Sequence, residues 1–219
     1  NRLSSATHDF LEGYTSYHLD EYVENILKHV DGLKKKLENG IQVLEIGCGR
    51  GRLLEKLALM FPKSTFTATE NAEFLLDQLK ANLGHIPNIK YAALDVCCPS
   101  TLQGQQYDWV FCINVIHDVP SPPNAYRNIK KFMKDQGGTF TMVDPASSGS
   151  PISDKGNLLV ASLYAISSFF CVAESYINEH SHAMGMCYGE KRAVDFLTAA
   201  GFSVEVVRFD YPMALFVCK

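Results

Sequence analysis

Apolar residues recur along this chain in two rhythms that take turns. Between 8 and 38, Phe10, Leu11, Tyr14 and Tyr17, then Val23, Ile26, Leu27 and Val30, fall at three- and four-residue spacing. That is the period of a helix with one buried face. Asn39-Gly40 stops the segment. Short runs of β-forming residues at 41–46, 64–69, 89–94, 109–115 and 139–143 then predict five strands, and helical periodicity up to about 60, at 72–82 and at 124–133 fills the intervals. Strands alternating with helices imply a parallel sheet with right-handed crossovers. The alternation breaks after Asp144. Residues 145–157 are rich in Ser, Pro and Gly and predict a loop, and 158–173 is an apolar helix. Gly185 and Gly189 mark a second loop before a helix at 190–199. Gly201 closes that helix, and Asp210-Tyr211-Pro212 joins two last strands, 203–209 and 213–218, as a hairpin.

The first strand runs directly into chemistry. Residues 43–51 read Val-Leu-Glu-Ile-Gly-Cys-Gly-Arg-Gly, and Leu53, Leu54, Leu57 and Ala58 then open a helix. Glycines let a ligand approach the backbone, and a helix start presents free N–H groups to it. A dinucleotide loop needs its third small residue at 52, which is Arg, and a P-loop needs Lys followed by Ser or Thr, which is missing. In open α/β sheets the ligand lies beyond the carboxyl ends of the strands. There Glu45 ends the first strand, and Glu70, about 20 residues beyond the glycines, suits a ribose diol. Asp95 offers an acceptor for an exocyclic amine. Asn114 ends the fourth. Each of these alone reads equally well as a solvated carboxylate or a helix cap.

Taken in order, VLEIGCGRG, TATE at 67–70, ALDV at 93–96 and YDWVFCINVIHDV at 107–119 resemble the motifs of the class I S-adenosylmethionine-dependent methyltransferases. The resemblance implies a Rossmann-like, doubly wound α/β fold with a mostly parallel seven-stranded sheet. It also implies S-adenosylmethionine as cofactor and S-adenosylhomocysteine as product. Carried onto this chain, it makes Glu45, Gly47, Cys48, Gly49, Gly51, Glu70, Asn71, Asp95, Val96 and Asn114 the cofactor contacts. Ile116-His117-Asp118, Val143-Asp144-Pro145, the Tyr164…Ser167 helix, Gly185-x-x-x-Gly189 and Ala200-Gly201-Phe202 are similar to a narrower group. These are bacterial-type small-molecule methyltransferases that often carry an N-terminal winged helix, a part not expected within residues 1–219. The expected layout is one domain over 1–219. It comprises a helical lid (1–38), a cofactor-binding core (39–145), a cap on the acceptor side (146–190) and a closing helix with its hairpin (191–219).

At 219 residues with 47% hydrophobic and 20% charged content, the chain has the bulk of one soluble domain. A net charge of −4 leaves no electrostatic footprint for nucleic acid. The Lys34-Lys35-Lys36 cluster reads as a solvated helix face. Seven cysteines without a C-x-x-C pair suit reduced thiols in the cytoplasm. No leader is visible after Asn1, and the uncharged 158–173 run is short for a membrane span. That run either walls an acceptor pocket through Tyr164 and Phe169 or forms a homodimer face. His117, beside Asp118 after the fourth strand, is the candidate general base or acceptor-orienting group. Tyr17, Asp144, Tyr164 and His182 are the expected substrate-side residues. His180-x-His182 with Cys187 lacks a fourth ligand at zinc-like spacing, so no metal is expected. Asn114-Val-Ile-His replaces the Asn/Asp-Pro-Pro-Tyr run of amino-methylating enzymes, which disfavours that chemistry. The expected function is methyl transfer to a hydroxyl, amine or thiol of a small molecule; the alternative is a non-catalytic S-adenosylmethionine sensor.

Overall fold

The computed structural model describes Gly13, residues 16–99 and residues 101–219. Phe10, Leu11 and Tyr14 of the first expected helix lie outside those residues. Its remainder is two helices, α1 (Leu19–His29) and α2 (Leu33–Asn39). Val30 turns extended and Gly32 takes φ +70°, so Asp31-Gly32 is a turn that the apolar spacing on either side concealed.

Seven strands form one sheet: β1 (Gln42–Glu45), β2 (Thr65–Glu70), β3 (Ile89–Ala93), β4 (Trp109–Ile113), β5 (Thr139–Pro145), β6 (Val204–Arg208) and β7 (Met213–Cys218). Their order is β3-β2-β1-β4-β5-β7-β6. β1 to β5 run parallel, and β7 lies antiparallel to both β5 and β6. The expected terminal hairpin is therefore present, with β7 wedged inside the sheet. That position explains why every residue of β7 is buried while β6, at the edge, is partly open.

Strand alternation divides the core between two faces. Val43, Phe66, Trp109, Phe111 and Leu215 pack under α1, α2, α3 (Arg52–Met60) and α4 (Glu73–Leu83). Leu44, Val110, Cys112, Phe140 and Phe216 pack under α5 (Pro122–Phe132) and α8 (Glu190–Ala199). Pro122-Pro123 occupy the first turn of α5, where their missing N–H groups cost nothing.

The apolar 158–173 segment is a cap of two helices, α6 (Leu158–Phe169) and α7 (Cys171–Ser175), broken at Phe170. Asn157 caps α6, its side-chain oxygen accepting from the Val160 N–H at 3.2 Å. Val160 and Cys171 meet Met186 and Cys187 in a small cluster of their own. By length and composition alone Leu158–Ser175 could cross a membrane, and only 22% of it is buried. Leu158, Leu159 and Phe169 are exposed, so Phe169 does not wall a pocket.

The helix that carries the glycine loop is tied down by one side chain. Asn88 Nδ2 donates to the carbonyls of Ala58 and Ser64 at 3.0 Å each and of Phe61 at 3.4 Å. Asn88→Asp would set a carboxylate against three carbonyl oxygens. It is expected to cost about 2–3 kcal/mol in urea unfolding; a change within experimental error would show that Asn88 does not anchor α3.

Candidate active site

The carboxyl end of β1 turns through Gly47, Gly49 and Gly51, all with φ between +53° and +75°. Cys48 N–H donates to the Thr69 carbonyl at 2.9 Å, and Thr69 Oγ1 donates to the Glu45 carbonyl at 2.6 Å, so the loop is stitched to β2. Gly51 then hands the chain to α3, whose first N–H groups face the loop. A Cβ at Gly49 would meet nothing within 4 Å. The loop thus presents its middle glycine to open space.

Two carboxylates stand behind that space. Glu70 accepts from the Gly49 N–H at 2.9 Å and the Asn71 N–H at 3.1 Å. Glu45 is buried, and its Oε2 has no hydrogen-bond partner. Burial, and then the charge of Glu70, push the Glu45 carboxyl well above its ordinary value. Asp95 falls beyond the end of β3, exposed, in a turn where its Oδ1 accepts the Cys97 N–H at 2.8 Å. Val96 lies in the core, while Asn71 is exposed. Asn114 holds φ +54°, a conformation that Asn tolerates better than most residues. Cys48 is buried, with its thiol raised by burial and the two acids.

Beyond Asn114 a single 3₁₀ turn, Ile116–Asp118, carries His117. Its ring has no exposed surface; Nδ1 sits 2.5 Å from Asp144 Oδ1, and Nε2 lies 3.4 Å from Asp118 Oδ2. The other Asp144 oxygen accepts from the Tyr188 hydroxyl at 2.9 Å. Burial pulls the His117 pKa down, yet the adjacent Asp118 and Asp144 charges outweigh it and hold the imidazole well above 6.5. The cap closes over this pair. α7 packs on the 3₁₀ turn, and the Gly185 N–H donates to the His117 carbonyl at 3.2 Å. A Cβ at Gly185 would lie 2.1 Å from Ser167 Oγ, so only glycine lets the loop pass so close to α6.

Asp144, expected on the substrate side, is instead fully buried beneath His117, and both its oxygens are engaged. Tyr164 is also redirected. Its hydroxyl donates to Asp154 at 2.9 Å, pinning α6 to the 146–157 loop, with its pKa pushed up to about 12 by burial and then by Asp154. His182 is exposed, its ring edge-on to Phe196 of α8 at 5.7 Å. His180 is exposed as well, whereas Cys187 is buried, so the structure does not gather those three. Tyr17 is 84% exposed and meets His18 edge-on. His18 in turn stacks on Tyr211 at 4.1 Å, in the β6–β7 turn beside the carboxyl end of β5. Sequence reasoning missed Tyr188, Cys171 and the His18–Tyr211 stack; the strand-end position of Tyr211 was the available signal for the last.

Residues 44–140 match a family model described as a methyltransferase domain. Over 101 residues the chain is 29% identical to the ubiquinone biosynthesis O-methyltransferase of Albidiferax ferrireducens, covering 46% of this chain and 40% of that protein. The chain thus spans about two fifths of the length of this curated relative. Its fold is similar to that of an O-methyltransferase family protein from Burkholderia thailandensis (TM-score 0.72, 10% identity, 98% of this chain and 58% of that one). It is also similar to human N-acetylserotonin methyltransferase in complex with SAM (TM-score 0.69, 15% identity, 97% and 54%).

Because the fold favours protonated Glu45, its contribution to stability is present below the ordinary carboxyl value and is lost as pH rises through the folded value. Above the ordinary carboxyl value the fold must either hold this unpartnered group protonated or bury its charge, and both cost stability. Glu45→Gln is expected to raise stability by about 1–2 kcal/mol in urea unfolding at pH 7, with the gain disappearing toward pH 4. Equal destabilisation at both pH values would show that Glu45 is satisfied in the fold.

Proposed function

We propose, for a chain that carries the domain and fold of the class I S-adenosylmethionine-dependent methyltransferases, that it transfers a methyl group to a hydroxyl of a small, largely apolar molecule. The observation that carries the reading is the buried His117–Asp144 pair, one turn beyond the strand end that faces the glycine loop. A hydroxyl acceptor needs a base, and the relatives named above as O-methyltransferases support oxygen over nitrogen or sulfur.

The residues present fit S-adenosylmethionine. The unpartnered Glu45 Oε2 suits its ammonium group, and the open face of Gly49 admits its backbone-hugging portion. Glu70 and Asp95 remain the candidates for the ribose hydroxyls and the adenine amine, and Asn114 for the reacting end. Bound there, the cofactor supplies an electrophilic methyl group on a sulfonium. Bringing that methyl and the acceptor into line accounts for much of the rate, since proximity and orientation supply roughly 7–11 kcal/mol of a barrier.

His117 does the proton work. Asp144 accepts the Nδ1–H, which fixes the ring and leaves Nε2 to take the acceptor's proton. Tyr188 holds Asp144 in place by donating to its second oxygen. The two flanking carboxylates favour imidazolium, so the ring must first lose a proton, and turnover rises with pH through a value above 6.5. With α7 over His117, the cap has to lift for the acceptor to enter. Val160 and Met186, apolar side chains of the cap itself, would be uncovered as it lifts and favour a small apolar acceptor over a macromolecule.

Mass spectrometry of methylated products over a panel of hydroxyl, amine and thiol metabolites tests the reading. Methylated hydroxyl compounds are expected. His117→Ala should lower kcat by about 10²–10⁴-fold with cofactor affinity nearly unchanged. Asp144→Asn should also slow turnover and move the acid limb of the pH profile downward, because one of the charges that raises His117 is gone. Tight cofactor binding with no product from any acceptor would favour the sensor.

A further inference from the structure

We propose that His117 Nε2, Asp118 and the Cys171 thiol form a binding site for a zinc-class divalent cation. Their ligand atoms all lie within 4.8 Å of one another, the one such group found among the described residues. Nε2 and Asp118 Oδ2 are 3.4 Å apart. Two ligands at the bond lengths of tetrahedral zinc stand roughly 3.3 Å apart, so this pair needs almost no movement. His117 has no exposed surface, and its Nε2 has no hydrogen-bond partner. The ring is already oriented as a metal ligand, because Nδ1 is held by Asp144 in the carboxylate–histidine arrangement that supports bound zinc.

Cys171 decides the cation. A thiolate with an imidazole and one carboxylate selects zinc over magnesium or calcium, which prefer an all-oxygen shell. The break at Phe170 starts α7 at Cys171 and brings its sulfur over the 3₁₀ turn. On binding, the thiol and the imidazole release their protons to solvent, and thiolate plus carboxylate balance the divalent charge. Three protein ligands leave a fourth position for water. Zinc on Nε2 excludes the acceptor's proton, so the site is inhibitory. That consequence rests on His117 being the base; the binding does not.

Cobalt(II), a spectroscopic stand-in for zinc, titrated into the reduced full chain is expected to give a thiolate-to-metal charge-transfer band that saturates at one equivalent and is abolished by zinc. Cys171→Ser should remove the band, with thermal unfolding confirming that the variant is folded. Cys98→Ala, at the one exposed thiol, should leave it intact. Asp144→Asn should keep the band but weaken cobalt binding about 10–100-fold. No band in the reduced wild type, or a band that survives Cys171→Ser, would overturn the site. In turnover assays zinc should inhibit the wild type and spare Cys171→Ser. Binding without inhibition would leave the site standing and count against His117 as the base.

Discussion

Asp144 stands next to last in β5 without any exposed surface, and a carboxylate removed from water costs several kcal/mol unless it is answered at once. Here the answer comes from two distant segments. His117 lies 27 residues before it, on the turn after β4, and Tyr188 lies 44 residues after it, ahead of α8. Satisfying this one group therefore fixes the turn beyond β4, the end of β5 and the loop that leads into α8. The cap settles on the same centre, through the Gly185 bond to His117 and through Cys171. Loss of either partner would leave a buried charge, so the arrangement is maintained as a unit.

The other half of the site is organised by an opposite imbalance. Glu45 and Glu70 stand on either side of one loop, and Glu45 Oε2 has no hydrogen-bond partner. Glu70 accepts from two backbone N–H groups, and its charge adds to what burial already costs Glu45. A ligand with a positive group would relieve that cost on arrival, and the fold contributes binding energy that it does not realise alone. The site thus has an acidic end at the glycine loop and an imidazole end under the cap.

How much of this was legible in the sequence follows from how local each feature is. The glycine loop and Glu70 belong to one strand–turn–helix unit and the strand after it, and pattern and spacing located them. Strand and helix alternation likewise predicted the parallel sheet. The insertion of β7 between β5 and β6 was not legible, because hairpin pairing is local while pairing with β5 spans some seventy residues. Asp144 was misassigned to the substrate side although strand parity carried the information. Phe140 and Met142 face α5 and α8, so the residue two further on points the same way, into the protein. In the cap the apolar residues run nearly all round α6, so periodicity gave Tyr164 and Phe169 no direction. Cys171 and His117 met only because the helix breaks at Phe170, which no turn residue announced.

The account turns on His117 being held as an imidazolium between two carboxylates while Asp144 keeps Nδ1 protonated. Nitrogen-15 NMR of the labelled imidazole, followed across pH in the full chain, measures both properties directly. The account predicts that His117 titrates above 6.5 and that, once neutral, its proton stays on Nδ1. A ring that titrates at or below 6.5, or that keeps its proton on Nε2 when neutral, would contradict it.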